Sequence, residues 1–427
     1  MKTYYIARLQ KDDLESLYKR KAIGSSGVRK TVEGIISRVR NEGDAALFKL
    51  AKKFDKADLD SLVVSKEEIA EATANLPVKL KDAYKKAAEN IKKFHDVQLT
   101  GRQSVETMPG VTCFAEMRPI EKVGLYVPGG TAALPSTLLM LAIPAKLAGC
   151  KEIIICTPPG TDGKIPGSIL YAADICGVDK IYKAGGAQAI AAMAYGTKTV
   201  PKTYKIFGPG NQYVTTAKML VSTDMDGAAI DMPAGPTELL VVADEEARPD
   251  FVAADLLSQA EHGTDSQVIL VSTSEKNAES ILKQLTSQLD SLPRKEIARK
   301  TLDNSFVLIV KDVSQAIEFA NRFAPEHLIL NVKGAENYVD EIANAGSVFL
   351  GRYSTESAGD YASGTNHSLP TYGYARTYSG VSLSSFQKRI TFQKLTKAGA
   401  ANIAPIVSAM ATVESLEGHK RAMEIRL

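Results

Sequence analysis

Hydrophobic and polar positions change their spacing twice along the chain. Over residues 28–41, 44–54 and 77–94, apolar residues recur at helical intervals among Lys, Glu and Ala, which predicts amphipathic helices. Around residues 111–120 the pattern becomes extended. From Val123 onward, short apolar runs alternate with helical stretches. Strands are expected at 123–127, 152–156, 180–183 and 205–207. Helices are expected at 136–148, 169–176 and 188–195, and after Asn211 to about Val221. A crossing segment rich in proline and glycine, 231–236, leads to a second series. Its strands are 239–243, 268–271, 306–310, 328–330 and 347–350, and its helices include 250–262, 277–289 and 313–323. Such alternation predicts largely parallel, doubly wound sheets.

Residues 351–378 read as one long loop rich in Gly, Ser, Tyr and Asn, and a loop of that length in a compact domain points to function. From residue 385 the pattern is helical. The expected class is therefore α/β: two Rossmann-like doubly wound domains, an N-terminal arm (1–25) and a helical C-terminal tail (382–427). The first domain is expected to be discontinuous, joining 26–125 to 238–381, with 126–237 as the second.

Composition narrows the function classes. At 427 residues the chain is too long for one ordinary core. A net charge of +3 with only short basic runs offers no electrostatic footprint for nucleic acid. The longest apolar run, 138–148, is broken by Pro144 and Lys146, so no membrane span is expected. The N-terminus has no apolar signal core, and the expected location is cytoplasmic. Cys113, Cys150, Cys156 and Cys176 form no Cys-x-x-Cys pair. The last three lie in apolar segments and read as buried thiols in a reducing compartment rather than nucleophiles.

The polar candidates are few. Gln259 and His262 lie three apart near the end of a predicted helix closed by Gly263, so they share a face and make half a metal site. With Asp360 and His419 they would form a nitrogen and oxygen set suited to zinc or a similar divalent ion. These four come from three distant segments, and spacing alone does not join them. His95, on a charged helix, reads as a surface residue. Glu326 and His327 follow Pro325 in a turn, where a carboxylate and an imidazole could reach one cavity and share proton transfer. Two solvated turn residues would be the plainer reading.

No G-x-G-x-x-G follows a strand. Instead, the stretches 126–130, 185–188 and 208–211 each follow a strand and open a helix, where open α/β sheets bind ligands and helix N-termini hold phosphate. Tight turns needed only for packing would explain each of them singly.

Assembled, these residues resemble the histidinol dehydrogenase family over essentially the whole chain. The most specific stretches are 123–130, 185–189, 206–211, 226–236, 256–263, Pro325-Glu326-His327 and 358–367. The resemblance implies oxidation of L-histidinol to L-histidine through the aldehyde, with two NAD+ and one water consumed. It implies one zinc ion per subunit on Gln259, His262, Asp360 and His419, with Glu326 and His327 as the acid–base pair. Tyr126, Gln188 and Asn211 match positions that contact NAD+. Thr237, His367 and Glu414 match substrate-contacting positions, as do His327 and the zinc ligands. At position 237 the family often has serine; the hydroxyl is kept here and a methyl is added. The resemblance also implies a homodimer in which Glu414 and His419 reach across to the other protomer's site. Competing readings are a relative that oxidises another primary alcohol, a zinc hydrolase using His262, Asp360 and Glu326, and a non-catalytic nucleotide sensor. Retention of His367, Glu414 and His419 favours the imidazole substrate over the first of these.

Overall fold

The computed structural model describes residues 1–20, 26–129 and 133–427. In chain order its strands are β1 (Lys2–Tyr5), β2 (Gln103–Met108), β3 (Val111–Pro119), β4 (Lys122–Tyr126) and β5 (Glu152–Thr157). There follow β6 (Ile181–Lys183), β7 (Lys205–Phe207), β8 (Ala229–Ile230), β9 (Glu238–Ala243) and β10 (Gln267–Ser272). The last are β11 (Phe306–Ile309), β12 (His327–Asn331), β13 (Ser347–Leu350) and β14 (Gln387–Leu395). One parallel sheet runs β6-β5-β4-β7-β8, and a second runs β1-β11-β10-β9-β12-β13. Setting β1 aside, both sheets repeat one order: third, second, first, fourth, fifth. In each, the order reverses beside the first strand, where open α/β sheets leave a crevice at the carboxyl ends of the strands. The α/β class with parallel sheets is thus present.

Burial explains why these segments are strands. All six residues of β9 are buried, as a central parallel strand covered on both faces requires. Its Leu239 pairs with Val268 of β10 on one side and His327 of β12 on the other, which sets the register of the site described below.

The early helices depart from the expected grouping. The helix Ser26–Glu42 buries Val28, Val32, Ile35, Ile36 and Val39 along one stripe, packed with Ile154, Cys156 and Ile190. The helix Val78–Asp96 sends Ala87 and Ile91 into the cluster holding Val123, Leu125 and Leu138. The buried stripes of these two helices therefore lie on the sheet of residues 122–230, while Asn90 and His95 also reach Ala362 and Asn366. Periodicity marks a stripe as buried but carries no information about which sheet it meets.

Both ends of the chain are also more sheet-bound than their patterns indicate. β1 is an edge strand parallel to β11, and the helix Lys11–Leu17 adds Leu17 to the core of the six-stranded sheet. The expected helical tail opens with a single 3-10 turn, Leu383–Phe386, and then forms β14, which pairs antiparallel with β3 from Gln387↔Pro119 to Leu395↔Val111. Only then come the helices Lys397–Val413 and Glu417–Glu424. The expected long loop at 351–378 contains a short helix, Glu356–Tyr361. Residues 21–25 of the expected arm and Gly130 of the expected turn lie outside the described residues. Among the described residues, no helix is long and apolar enough to cross a membrane.

Candidate active site

The candidate acid–base pair is placed by a helix stop. The helix Val313–Phe323 ends at Ala324 in a left-handed conformation, φ 53°, and Pro325 cannot continue it. The chain turns there into β12. Glu326 is left just before the strand and His327 at its first position, 7% and 3% exposed. Glu326 Oε2 accepts the Thr237 hydroxyl at 2.5 Å and the Glu238 backbone N–H at 2.9 Å. His327 Nδ1 lies 3.6 Å from Glu326 Oε2, and its Nε2 lies 3.7 Å from Asp360 Oδ1. Nδ1 is also 2.9 Å from Gln259 Nε2 and 3.2 Å from the Glu238 carbonyl. The ring accepts from the amide when neutral at Nδ1 and donates to the carbonyl when protonated there, so either state has a partner. The solvated-turn reading of Glu326 and His327 is excluded by their burial.

A second group of ligating atoms faces this pair. On the short helix, Glu356 and Asp360 are four residues apart and share a face. With His262 they present ligand atoms that all lie within 4.8 Å of one another. The expected helix through His262 ends earlier, at Ala260. Gln259 is consequently 1% exposed, while His262 stands exposed beyond the last turn.

Gln259 Oε1, Asp360 Oδ1, His327 Nε2 and His367 Nε2 are buried without a hydrogen-bond partner among the described residues. Unpaired polar atoms of this kind cost roughly 1–3 kcal/mol each. Two carboxylates, Glu356 and Asp360, beside the Gln259 oxygen and the His262 nitrogen fit a divalent cation such as zinc.

The pKa directions reflect this crowding. Burial pushes the Glu326 carboxyl up to about 7, against the opposing pull of His327 and its two hydrogen-bond donors. Burial alone would lower His327, but the Glu326, Asp360 and Glu356 carboxylates outweigh it and raise the ring to about 10. Burial likewise raises Glu356, to about 8. For Asp360, burial is overcome by His327 and the carboxyl falls to about 2. A low-dielectric pocket with this many carboxylates favours cationic ligands.

The NAD-type candidates gather elsewhere, at the carboxyl ends of β4 and β7, where the five-stranded order reverses. Tyr126, Gln188 and Asn211 line one cleft of about 720 Å³. The Tyr126 hydroxyl accepts the Gly186 N–H at 3.0 Å, at the start of the helix Gly186–Tyr195. Asn211 caps the helix Gln212–Ser222 by accepting from the Tyr213 and Val214 N–H groups. Two helix N-termini therefore open on the cleft, an arrangement that suits phosphate. Gly208 (φ 125°) is required at this crossing, since a Cβ there would stand 2.1 Å from the Tyr126 carbonyl oxygen. At the matching position of the other sheet, Asp244 follows β9 and accepts N–H groups from Glu246, Ala247 and Lys333.

One chain does not bring every candidate together. Gln259, His262, Asp360, His327 and Glu326 converge with Thr237, and the buried His367 Nε2 feels both Asp360 and His327. Glu414 and His419 are exposed on the tail and do not join the His262 group. Thr237 has its hydroxyl committed to Glu326.

Glu356 was not anticipated; its spacing of four from Asp360 was the available signal. His95 is fully buried, with Nδ1 at 2.9 Å from the Ile91 carbonyl, so it is not a surface residue. It continues the inward stripe of Ala87 and Ile91, which the surrounding charges conceal. Burial pushes the thiols of Cys150 up to about 11 and Cys176 up to about 12, and Cys156 higher still, which leaves them protonated.

Comparison with known proteins bears on this arrangement. A family model described as histidinol dehydrogenase matches residues 18–427. The chain is 55% identical over 411 residues to a histidinol dehydrogenase of Bacteroides fragilis (strain YCH46), covering 96% of each. It is 51% identical over 428 residues to one of Vibrio parahaemolyticus, covering 100% of this chain and 98% of the relative. It is also similar to a crystal structure of histidinol dehydrogenase from Elizabethkingia anophelis. That match has 52% identity and a TM-score of 0.96, and covers 100% of this chain and 98% of the other.

Proposed function

The chain belongs to the histidinol dehydrogenase family, and on that premise we propose that it oxidises L-histidinol to L-histidine through histidinal in histidine biosynthesis. The proposal includes two NAD+ used in turn, one water, one zinc ion per subunit and a cytoplasmic setting. The observation that carries it is the burial of Glu326 and His327 against Gln259 and Asp360.

Gln259, His262 and Asp360 would hold the zinc ion, and the Glu356 carboxylate stands within reach of the same point. Bound zinc supplies a Lewis acid that anchors the substrate's imidazole and amine, restricting its orientation. NAD+ in the Tyr126, Gln188 and Asn211 cleft supplies the hydride acceptor. Glu414 and His419, exposed on the tail, would complete substrate binding and zinc ligation across a homodimer. His367 faces the substrate.

Once a bound cation offsets the carboxylates that raise its ring, neutral His327 would accept the hydroxyl proton as the alcohol is oxidised, with the Glu238 carbonyl beside its Nδ1 to hold the protonated ring. Glu326 then takes a proton from water as that water adds to the aldehyde. Only the hydrated aldehyde has a second hydride to lose. A carboxyl raised to about 7 is matched to a general base working near neutrality. Thr237 acts on this step through the Glu326 carboxylate it donates to. The protonated thiols are consistent with hydration rather than a thiohemiacetal.

The test is NADH formation from L-histidinol by the purified dimer, before and after chelation and after zinc is restored. Two NADH per histidinol, lost on chelation and regained with zinc, are expected. A single NADH per histidinol with aldehyde as end product, or NAD-independent turnover, would overturn the reading. Glu326→Gln is expected to accumulate aldehyde; full acid formation in that variant would refute the water-activation role.

A further inference from the structure

The dinucleotide cleft contains a carboxylate to which nothing above assigns a role. Asp55 lines the cleft together with Tyr126, Gln188 and Asn211. Its Oδ2 is buried and has no hydrogen-bond partner among the described residues. The local backbone is unusual: the helix Asp44–Leu50 runs into a π turn, Ala51–Asp55, closed by Lys56 in a left-handed conformation, φ 59°. Single π turns occur preferentially at functional sites, and a non-glycine residue at positive φ adds strain. Together they aim Asp55 inward and leave the preceding Phe54 47% exposed, also on the cleft lining.

Among the described residues, no ion pair neutralises this carboxylate. Lys52 pairs with Asp58 at 2.7 Å, and the Lys56 ammonium donates to the Lys53 carbonyl at 2.9 Å. Burial alone raises the Asp55 carboxyl to about 6. An ionised carboxylate offers only acceptors, so its natural complement is a pair of neutral donors rather than an anion. In a nucleotide cleft, the ribose diol is that pair. An acidic residue that accepts the ribose 2′-hydroxyl also repels a phosphate in its place. The reacting ring of a dinucleotide must reach the buried Glu326 and His327 group, which leaves the solvent side, at Phe54, for the adenosine.

We propose that Asp55 is the cofactor-specificity residue of this cleft, accepting hydrogen bonds from the adenosine ribose hydroxyls of NAD+ and excluding its 2′-phosphorylated form. The proposal rests on the NAD+ reading above. It makes Asp55 a binding residue whose loss falls on KM rather than kcat.

The test uses the full-length enzyme and its Asp55→Asn variant with NAD+, NADP+ and 2′-deoxy-NAD+ in histidinol oxidation. NADH and NADPH binding are measured separately by fluorescence, which needs no turnover. A lost charge-assisted hydrogen bond corresponds to roughly tenfold or more in affinity. The variant is therefore expected to bind NADH about tenfold more weakly, with its NAD+ over NADP+ preference narrowed by at least about that factor. The wild type should lose a similar factor with 2′-deoxy-NAD+, and the variant should not. Equal losses with 2′-deoxy-NAD+ in both proteins, or an unchanged NAD+ to NADP+ ratio, would overturn the assignment while leaving the NAD+ reading intact. Failure of the wild type to bind NADH at all would sink that parent reading instead. An unchanged melting temperature in the variant separates a binding effect from misfolding.

Discussion

Replacing Thr237 with valine isolates one hydrogen bond of the proposed base. Valine matches threonine in shape, so what is lost is the hydroxyl that donates to Glu326 Oε2 at 2.5 Å. The carboxylate keeps the Glu238 N–H at 2.9 Å and stays buried. A hydrogen bond to a charged group contributes roughly 1.5–3 kcal/mol. At 1.36 kcal/mol per pH unit, its removal raises the carboxyl by roughly one to two units. The sign follows from the donor stabilising only the ionised form: without it, the proton is held more tightly. Starting from about 7, the base in the variant should ionise only in the range of about 8 to 9. At pH 7, where the wild-type base is half ionised, oxidation of supplied histidinal with NAD+ should fall roughly five- to fiftyfold and recover as pH rises. The assay is NADH formation from histidinal across pH 6–10 for the wild type, Thr237→Val and Thr237→Ser. Serine keeps the hydroxyl and should retain the wild-type profile. A valine variant whose pH profile superimposes on the wild type would show that the hydroxyl does not tune Glu326.

Two stability predictions follow from buried charges. Arg20 makes a two-pronged pair with Glu238, at 2.8 and 2.9 Å, with side chains 10% and 3% exposed. Arg20→Met strands that carboxylate and should cost roughly 3–5 kcal/mol in urea unfolding; an unchanged midpoint would mean the arm is held by other contacts. Burial raises Asp255 from 3.8 to about 6. This group's contribution to stability is therefore present below about pH 4 and lost as pH rises through about 6. Asp255→Asn should gain up to roughly 3 kcal/mol at pH 8 and nothing near pH 3.5. A gain independent of pH in thermal melts would contradict the desolvation argument.

The alternation of short apolar runs with helical stretches is a local property, and it sufficed to define the strands of both parallel sheets except the edge strands β1 and β8. It sufficed because strands buried on both faces read as near-continuous apolar runs, as Leu239 to Ala243 of β9 do. The adjacency of Glu326 and His327 was likewise readable, since one turn after Pro325 holds both. The choice of partners was not. Periodicity marks a stripe as inward but not what it meets, so the packing of the helices of residues 26–96 on the sheet of residues 122–230 was not legible. For the same reason His95, among lysines and a phenylalanine, concealed its position on the buried stripe. Glu356 entered the His262 group only because a six-residue helix forms inside a loop-like stretch. The Thr237 hydroxyl found Glu326 across 89 residues of chain through the register of β9 against β12. Sequence determined which residues could be buried and which could ionise. Only the tertiary contacts decided which charges share a cavity, because the energy of a buried ionisable group is set by neighbours distant along the chain.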